Sequence, residues 1–146
     1  MFREAGPADF DGVMRLYRHL HPADEAPDAG QARVVYDEIM RTPGMRLYVI
    51  EDGGGLVATT YLNLVPNLSR GLRPYGVVEN VVVDQGRRGT GVGKAVMAGT
   101  LRAAWDFGCY KVMLLTGSRR ESTHGFYRAC GFSGDAKFGF VARPGR

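Results

Sequence analysis

The stretch GRRGTGVGK, residues 86–94, decides how the rest of the chain is interpreted. It is preceded by a valine-rich segment, YGVVENVVVD (75–84), which predicts a strand. A predicted helix, VGKAVMAGTLRAAWDF (92–107), starts within the last three residues of the stretch. The order strand, glycine-rich turn, helix leaves unpaired N–H groups and the positive end of a helix dipole at the turn. Glycines let an anion approach those groups closely, and nearby Arg and Lys side chains add full positive charge. The stretch therefore predicts a phosphate-binding turn.

Two common phosphate-binding motifs do not match this turn. A P-loop has a glycine five residues before Gly93 and a Ser or Thr after Lys94, but the chain has Arg88 and Ala95 there. A dinucleotide-binding fingerprint has a third glycine three residues after Gly91, where Lys94 stands. That fingerprint also follows the first strand of its fold, whereas this turn lies in the middle of the chain. Neither motif explains the stretch.

The pattern Arg88-x-x-Gly91-x-Gly93, directly after a predicted strand, resembles the pyrophosphate signature of the GCN5-related N-acetyltransferases, the GNAT family. A second stretch, FYRACGF (126–132), is similar to the family's later signature, an aromatic residue and a Tyr a few residues before Gly-Phe. One helix and one strand separate the two stretches, as they do in the family. The resemblance covers nearly the whole chain and rests on both motifs in this order.

Hydrophobic periodicity predicts the order of elements along the chain. In chain order these are a strand (2–5), two helices (6–20, 31–42), a hairpin (45–52, 56–65), a strand (75–84), a helix (92–107), a strand (110–116), a short helix (120–131) and a terminal strand (137–143). We expect one α/β (α+β) domain over residues 1–146, with helices on both faces of a mixed, mostly antiparallel sheet. The resemblance implies the GNAT fold, in which this sheet is splayed at two central parallel strands.

Composition limits the class of protein and its partners. The chain has 146 residues, of which 45% are hydrophobic and 23% are charged, as in globular domains that bury a core. The net charge of +4 is spread along the chain, and no nucleic-acid-binding motif accompanies it, so no nucleic-acid partner is predicted. Without a signal-like or membrane-length apolar run, we expect a soluble, cytoplasmic protein with no membrane partner. Cys109 and Cys130 lack metal-ligand spacing, so they are predicted to pack in the core and no metal is expected.

The resemblance implies acetyl-CoA as the acyl donor. In the family the donor lies where two parallel strands part, here the strand through Val81–Val83 and the strand through Val112–Thr116. Main-chain groups of Val81 and Val83 would pair with the pantetheine amides, and an N–H near Val81 would polarise the thioester carbonyl. The implied donor-binding residues are Val81, Val82, Val83, Arg87, Arg88, Gly89, Thr90, Gly91, Val92, Gly93, Lys94, Ser122 and His124.

Glu79 and Tyr127 are the predicted catalytic residues. An alkylammonium has a pKa of about 10.4, so a base must remove a proton before the amine attacks the thioester. Glu79 is an acid in an apolar strand, which needs a reason, and the family often has its base at this point. An ion pair with an arginine such as Arg73, or binding of the substrate's ammonium, is the alternative role. Tyr127 matches the family's general acid, which protonates the departing thiolate, and ring packing is its alternative role.

A small-molecule primary amine is the predicted acceptor, because the chain has no added domain that would dock a protein. A protein N-terminus or lysine is one alternative, and a non-catalytic acyl-CoA-binding sensor of the same fold is another. A cationic acceptor is favoured by Asp24, Glu25 and Asp28, whereas an acidic one is favoured by Arg70 and Arg73, and the sequence does not rank them. Because members of the family often dimerise, the resemblance also allows a homodimer.

Overall fold

The computed structural model describes residues 1–145 of the chain. These residues divide into two compact units, Met1–Leu114 and the residues from Leu115 onward, and each unit is described by itself. The first unit contains β1 (Phe2–Glu4), α1 (Phe10–Tyr17), α2 (Ala29–Arg41), β2 (Met45–Asp52), β3 (Gly55–Val65), β4 (Tyr75–Val83), α3 (Val92–Phe107) and β5 (Val112–Met113). The second unit contains α4 (Glu121–Ala129). One domain over residues 1–146 stays a prediction.

The five strands of the first unit form one mixed sheet in the order β1-β2-β3-β4-β5. Neighbouring strands are antiparallel except β4 and β5, which are parallel. Helix α3 lies between β4 and β5 along the chain and provides the long crossover that a parallel pair needs. The mixed, mostly antiparallel sheet expected from the sequence is therefore confirmed.

The terminal strand predicted over residues 137–143 is wrong for the described chain. Phe138 and Phe140 are 86% and 94% exposed, and no backbone hydrogen bond joins this segment to another one within residues 1–145. Alternating apolar residues form a strand only where a neighbouring strand supplies hydrogen bonds. The strand predicted over 110–116 is also shortened to two residues, and it lies at the edge of the sheet. The parallel pair is therefore not central.

Helices cover both faces of the sheet, as expected. On one face, Val13 and Leu16 of α1 and Tyr36 of α2 pack with Val49 of β2 in one buried cluster. On the other face, Val96 of α3 packs with Ile50, the next residue of β2, in a second cluster. Successive residues of a strand point to opposite faces, so Val49 and Ile50 separate the α1–α2 layer from the α3 layer.

Glycines set both ends of α3. Gly91 before it and Gly108 after it have φ of 89° and 99°, a left-handed conformation that glycine adopts without a steric penalty. The predicted bounds of this helix are therefore confirmed.

With 16 residues, α3 is shorter than the roughly 20 needed to cross a bilayer, and no other helix within residues 1–145 is long and apolar enough to do so.

Candidate active site

The second half of β4 has a free edge. β5 pairs with β4 only at Gly76 and Val77, whereas β3 pairs with β4 along most of its length, from Tyr75 to Val83. Past Val77, no strand of the described chain lies on the β5 side of β4. The resemblance implied a gap between β4 and a parallel strand reaching Thr116, whereas β5 ends at Met113.

A β-bulge at Asn80 divides β4 into two halves. Tyr61 of β3 pairs with Glu79 and Thr59 pairs with Val82, so two residues of β4 face one residue of β3 between these pairs. Asn80 has a φ of 50°, and asparagine tolerates this left-handed conformation better than most residues. The sequence analysis did not predict the bulge, although an Asn inside a run of valines is a signal for it.

The bulge turns the main chain of Val81 and Val83 toward the free edge. Before the bulge, the Gly76 N–H donates to the carbonyl of Lys111, directly before β5, at 3.0 Å. After β4, the Asp84 N–H donates to Val57 of β3 at 2.8 Å, on the other side. In a regular strand, residues an even number apart point their main-chain groups to the same side. Gly76 and Asp84 are an even number of residues apart but face opposite sides, so the bulge must add one residue between them. The main-chain groups of Val81 and Val83 therefore face the free edge of β4.

The glycine-rich turn after β4 is open to solvent. Gly89 and Gly91 have φ of 77° and 89°, and a Cβ added to either glycine would meet no atom within 4 Å. No side chain caps the N-terminus of α3, so the N–H groups of its first turn, at Val92, Gly93 and Lys94, point outward. A helix N-terminus approached through glycines suits a phosphate.

The positive charges around the turn are divided between two roles. The Arg87 guanidinium pairs with Asp52 at the end of β2, so it anchors the turn to the hairpin. Arg88 and Lys94 are exposed and form no ion pair with any residue of the described chain. The Thr90 hydroxyl donates to the Arg87 carbonyl. Open amides beside two available cations fit a diphosphate.

Asp84 fixes the start of the turn. One carboxylate oxygen accepts from the Gly86 N–H at 2.9 Å, and the other accepts from Arg15 of α1 at 2.7 Å. The hydrogen bond from Arg15 holds the pKa of this carboxyl below its ordinary value, and the bond from Gly86 adds to the effect. Sequence reasoning missed Asp84 and Arg15, because nothing local signals a pair 69 residues apart.

Glu79 is the last residue before the bulge, and its side chain is exposed. It lies directly opposite Tyr61 of β3, which packs on the α1–α2 cluster. Because directly opposed residues share a face of the sheet, Glu79 lies on the same face as α1 and α2. Glu79 forms no ion pair within residues 1–145. Arg73, its alternative partner, donates instead to the Arg70 carbonyl at 2.9 Å and lies over the Tyr110 ring.

Tyr127 lies on α4 in the second unit. Its ring contacts those of Phe126 and Phe132, with centroid distances of 5.3 and 6.1 Å. Burial raises the pKa of its phenol above the ordinary value, with a smaller contribution from Cys130. Its hydroxyl donates no hydrogen bond to another described residue. The ring thus packs as one alternative expected, and the hydroxyl stays available.

The other two predicted residues of α4 are exposed. A ring nitrogen of His124 lies 2.7 Å from the Ser118 carbonyl oxygen, which positions the imidazole against the chain before α4. Ser122, two residues earlier in this helix, is also exposed. No group of three or more His, Cys, Asp or Glu side chains that could hold a metal occurs among the described residues.

Known proteins resemble this chain in sequence and in fold. Residues 10–132 match the model of a family described as the acetyltransferase (GNAT) family. The chain is 46% identical over 125 residues to glucosamine 6-phosphate N-acetyltransferase 1 of Oryza sativa subsp. japonica, covering 83% of this chain and 73% of that protein.

Two further similarities extend over most of the chain. It is 30% identical over 127 residues to glucosamine 6-phosphate N-acetyltransferase of Trypanosoma brucei brucei, covering 86% of this chain and 83% of that one. A solved structure of a protein from Agrobacterium tumefaciens str. C58 is 41% identical, covers 99% of each chain and has a TM-score of 0.94.

Proposed function

The chain belongs to the acetyltransferase (GNAT) family and is an N-acetyltransferase, and from this premise we propose that it moves the acetyl group of acetyl-CoA to the primary amine of a sugar phosphate. The observation that carries the proposal is the free edge of β4 leading into the open turn before α3. An extended thioester with a diphosphate at one end has the shape and the hydrogen-bonding groups for that surface.

The donor is proposed to lie along the second half of β4. Its pantetheine amides would exchange hydrogen bonds with Val81 and Val83, as an added strand does. Its diphosphate would accept from the N–H groups of the turn, with charge from Arg88 and Lys94. Because Arg87 is paired with Asp52, we assign Arg87 to holding the turn rather than to binding phosphate.

Glu79 is the proposed base. It would take a proton from the acceptor's ammonium, directly or through water, so that the nitrogen lone pair can attack the thioester carbon. The C–N bond forms, the C–S bond breaks, coenzyme A leaves as a thiolate, and the second proton lost by the nitrogen passes to solvent. Its exposed, unpaired carboxylate is available for this task, whereas an ion-paired one would hold the proton less readily.

Tyr127 is proposed to supply the proton that the thiolate needs. A thiol has a pKa near 8.5 and a phenol one near 10, and burial raises the pKa of Tyr127 further. The phenol therefore stays protonated at neutral pH and acts first as a hydrogen-bond donor to the developing thiolate. The role rests on the family resemblance, and Tyr127→Phe tests it: we expect kcat to fall about tenfold or more with the acetyl-CoA KM little changed.

Glucosamine 6-phosphate is the first acceptor to test, because the rice and trypanosome relatives carry it in their names. A phosphorylated amino sugar is a small-molecule primary amine, as the sequence predicted. Protein N-termini and lysines are the alternative acceptors, and an acyl-CoA sensor would use none.

A thiol-release assay distinguishes these functions. Purified protein with acetyl-CoA receives glucosamine 6-phosphate, glucosamine, glucose 6-phosphate or a lysine-containing peptide. We expect turnover with the amino sugar phosphate, weaker turnover with glucosamine and none with glucose 6-phosphate, which lacks the amine. Turnover confined to the peptide would contradict the acceptor assignment. Binding of acetyl-CoA without turnover on any amine would identify a sensor.

A further inference from the structure

We propose that the last turn of α1 clamps both ends of the donor-binding segment Val81–Val83, with Arg15 and Tyr17 as positioning residues. The clamp rests on the proposed function, because this segment matters only if the acyl donor lies along it. Neither residue would touch the donor. Each would act through the backbone of β4.

Arg15 holds the C-terminal end of the segment. One of its guanidinium nitrogens donates to Asp84 at 2.7 Å, directly after β4, and the other donates to the Leu56 carbonyl of β3 at 2.5 Å. The same Asp84 accepts from the Gly86 N–H. One arginine therefore joins α1, β3 and the point where β4 passes into the turn.

Tyr17, the last residue of α1, holds the N-terminal end. It packs against the α1–α2 cluster, to which Val82 also belongs, and its hydroxyl lies near the side chain of Asn80. Asn80 is the left-handed residue of the bulge. Left-handed residues other than glycine persist where surrounding contacts hold them, and Tyr17 supplies such a contact.

Helix α1 also holds the middle of the segment. Val82 is 4% exposed and belongs to the same buried cluster as Val13 and Leu16 of α1. Its neighbours Val81 and Val83 turn their main-chain groups to the free edge, and this orientation depends on the bulge. If Asn80 relaxed to an extended conformation, the alternation would shift by one residue and those groups would point toward β3.

Two pairs of matched variants test the clamp by calorimetric binding of coenzyme A. Tyr17→Phe and Tyr36→Phe each remove a tyrosine hydroxyl at the α1–α2 cluster, but Tyr36 donates to the Gly6 carbonyl, far from β4 in sequence. Arg15→Met and Arg3→Met each remove an arginine paired with Asp, but Arg3 lies on β1, at the opposite edge of the sheet.

We expect Tyr17→Phe and Arg15→Met each to weaken coenzyme A binding by about 3- to 10-fold, the range that a lost polar contact gives. The acetyl-CoA KM should rise with kcat largely kept. Tyr36→Phe and Arg3→Met should lower the melting temperature without changing this affinity. Equal affinity losses in the members of a pair would overturn the proposal.

A double-mutant cycle isolates the contact at Asn80. Asn80→Gly removes the side chain but keeps a residue that adopts the left-handed conformation freely. If Tyr17 acts through Asn80, Tyr17→Phe should have no further effect on coenzyme A affinity in the Asn80→Gly protein. Additive losses would show that Tyr17 acts elsewhere and would overturn its assignment.

A measurement without ligand separates failure of the clamp from failure of the proposed function. If the wild-type protein does not bind coenzyme A, the proposed donor site is wrong. The clamp is then tested by ¹⁵N order parameters of residues 81–83, which report ps–ns backbone motion. They should fall in Tyr17→Phe and not in Tyr36→Phe, and unchanged values in both variants would overturn the clamp.

Discussion

The two halves of β4 are both rich in valine, but they differ in their neighbours. The first half, Tyr75–Glu79, begins between two strands, since Gly76 and Val77 pair with both β3 and β5. The second half, Val81–Val83, pairs with β3 alone. Both halves have valines, so apolar content does not separate them, and the difference lies in the backbone, where Asn80 inserts one extra residue. Apolar content makes a strand, but its register decides which edge stays available to a ligand.

The largest expected effect is on chemistry at the boundary between the halves. Glu79→Gln keeps the shape of the side chain but removes its basicity, so we expect kcat to fall by about 100-fold or more. Coenzyme A affinity should stay unchanged, because the second half of β4 is untouched. Steady-state kinetics and calorimetry measure the two quantities. The matched control is Glu38→Gln on the exposed side of α2, and equal kcat in both variants would rule out Glu79 as the base.

A smaller effect is expected where the second half of β4 leads into the turn. Gly91→Val places a β-branched residue at a φ of 89° and covers the open amides, so coenzyme A should bind about 10- to 100-fold more weakly. Gly108→Val introduces the same strain at a φ of 99°, at the other end of α3. It should lower the melting temperature comparably without changing coenzyme A affinity. Similar binding by both variants would place the diphosphate away from this turn.

Support of the bulge from α3 is expected to contribute less. The Thr60 hydroxyl, opposite the bulge, is buried 2.7 Å from that of Thr100, which itself donates to the Val96 carbonyl. Thr100→Val would leave the Thr60 donor buried without a partner, at a cost of about 2 kcal/mol.

Thr60→Val is the control for that change, because it leaves Thr100 with its own acceptor and should cost only about 1 kcal/mol. Denaturant unfolding measures both free energies. Equal values, or a larger loss in Thr60→Val, would contradict this direction of the hydrogen bond.

The smallest effect is expected on the pH dependence of stability that comes from Asp84. The pKa of Asp84 is lowered in the folded protein, first by Arg15, so its charged form favours the native state. That contribution is present above the ordinary carboxyl pKa of 3.8 and is lost as pH falls through the lower folded value. The melting temperature of Asp84→Asn should thus be slightly below that of wild type at pH 7. The difference should shrink below pH 3.8, and a difference that grows in acid would contradict the sign.

Local signals were enough for several elements and for part of the site. Gly91 and Gly108 mark the ends of α3, and glycines 53 and 54 form the turn of the β2–β3 hairpin. In each case a left-handed conformation next to a periodic apolar run is readable from a few residues. The same reasoning located the open amides of the turn, whereas the family resemblance pointed to the valines of the free edge.

The amino-acid sequence by itself thus determined the strand–turn–helix unit, the mixed sheet with helices on both faces, and the charge at the turn. Tertiary structure alone decided that Arg87 pairs with Asp52, that Arg15 pairs with Asp84 directly after β4, and that residues 137–143 form no strand. The physical reason is range. Turn and helix-end preferences act over a few neighbouring residues, whereas ion pairs, strand pairing and the side that a main-chain amide faces depend on residues brought together from distant parts of the chain.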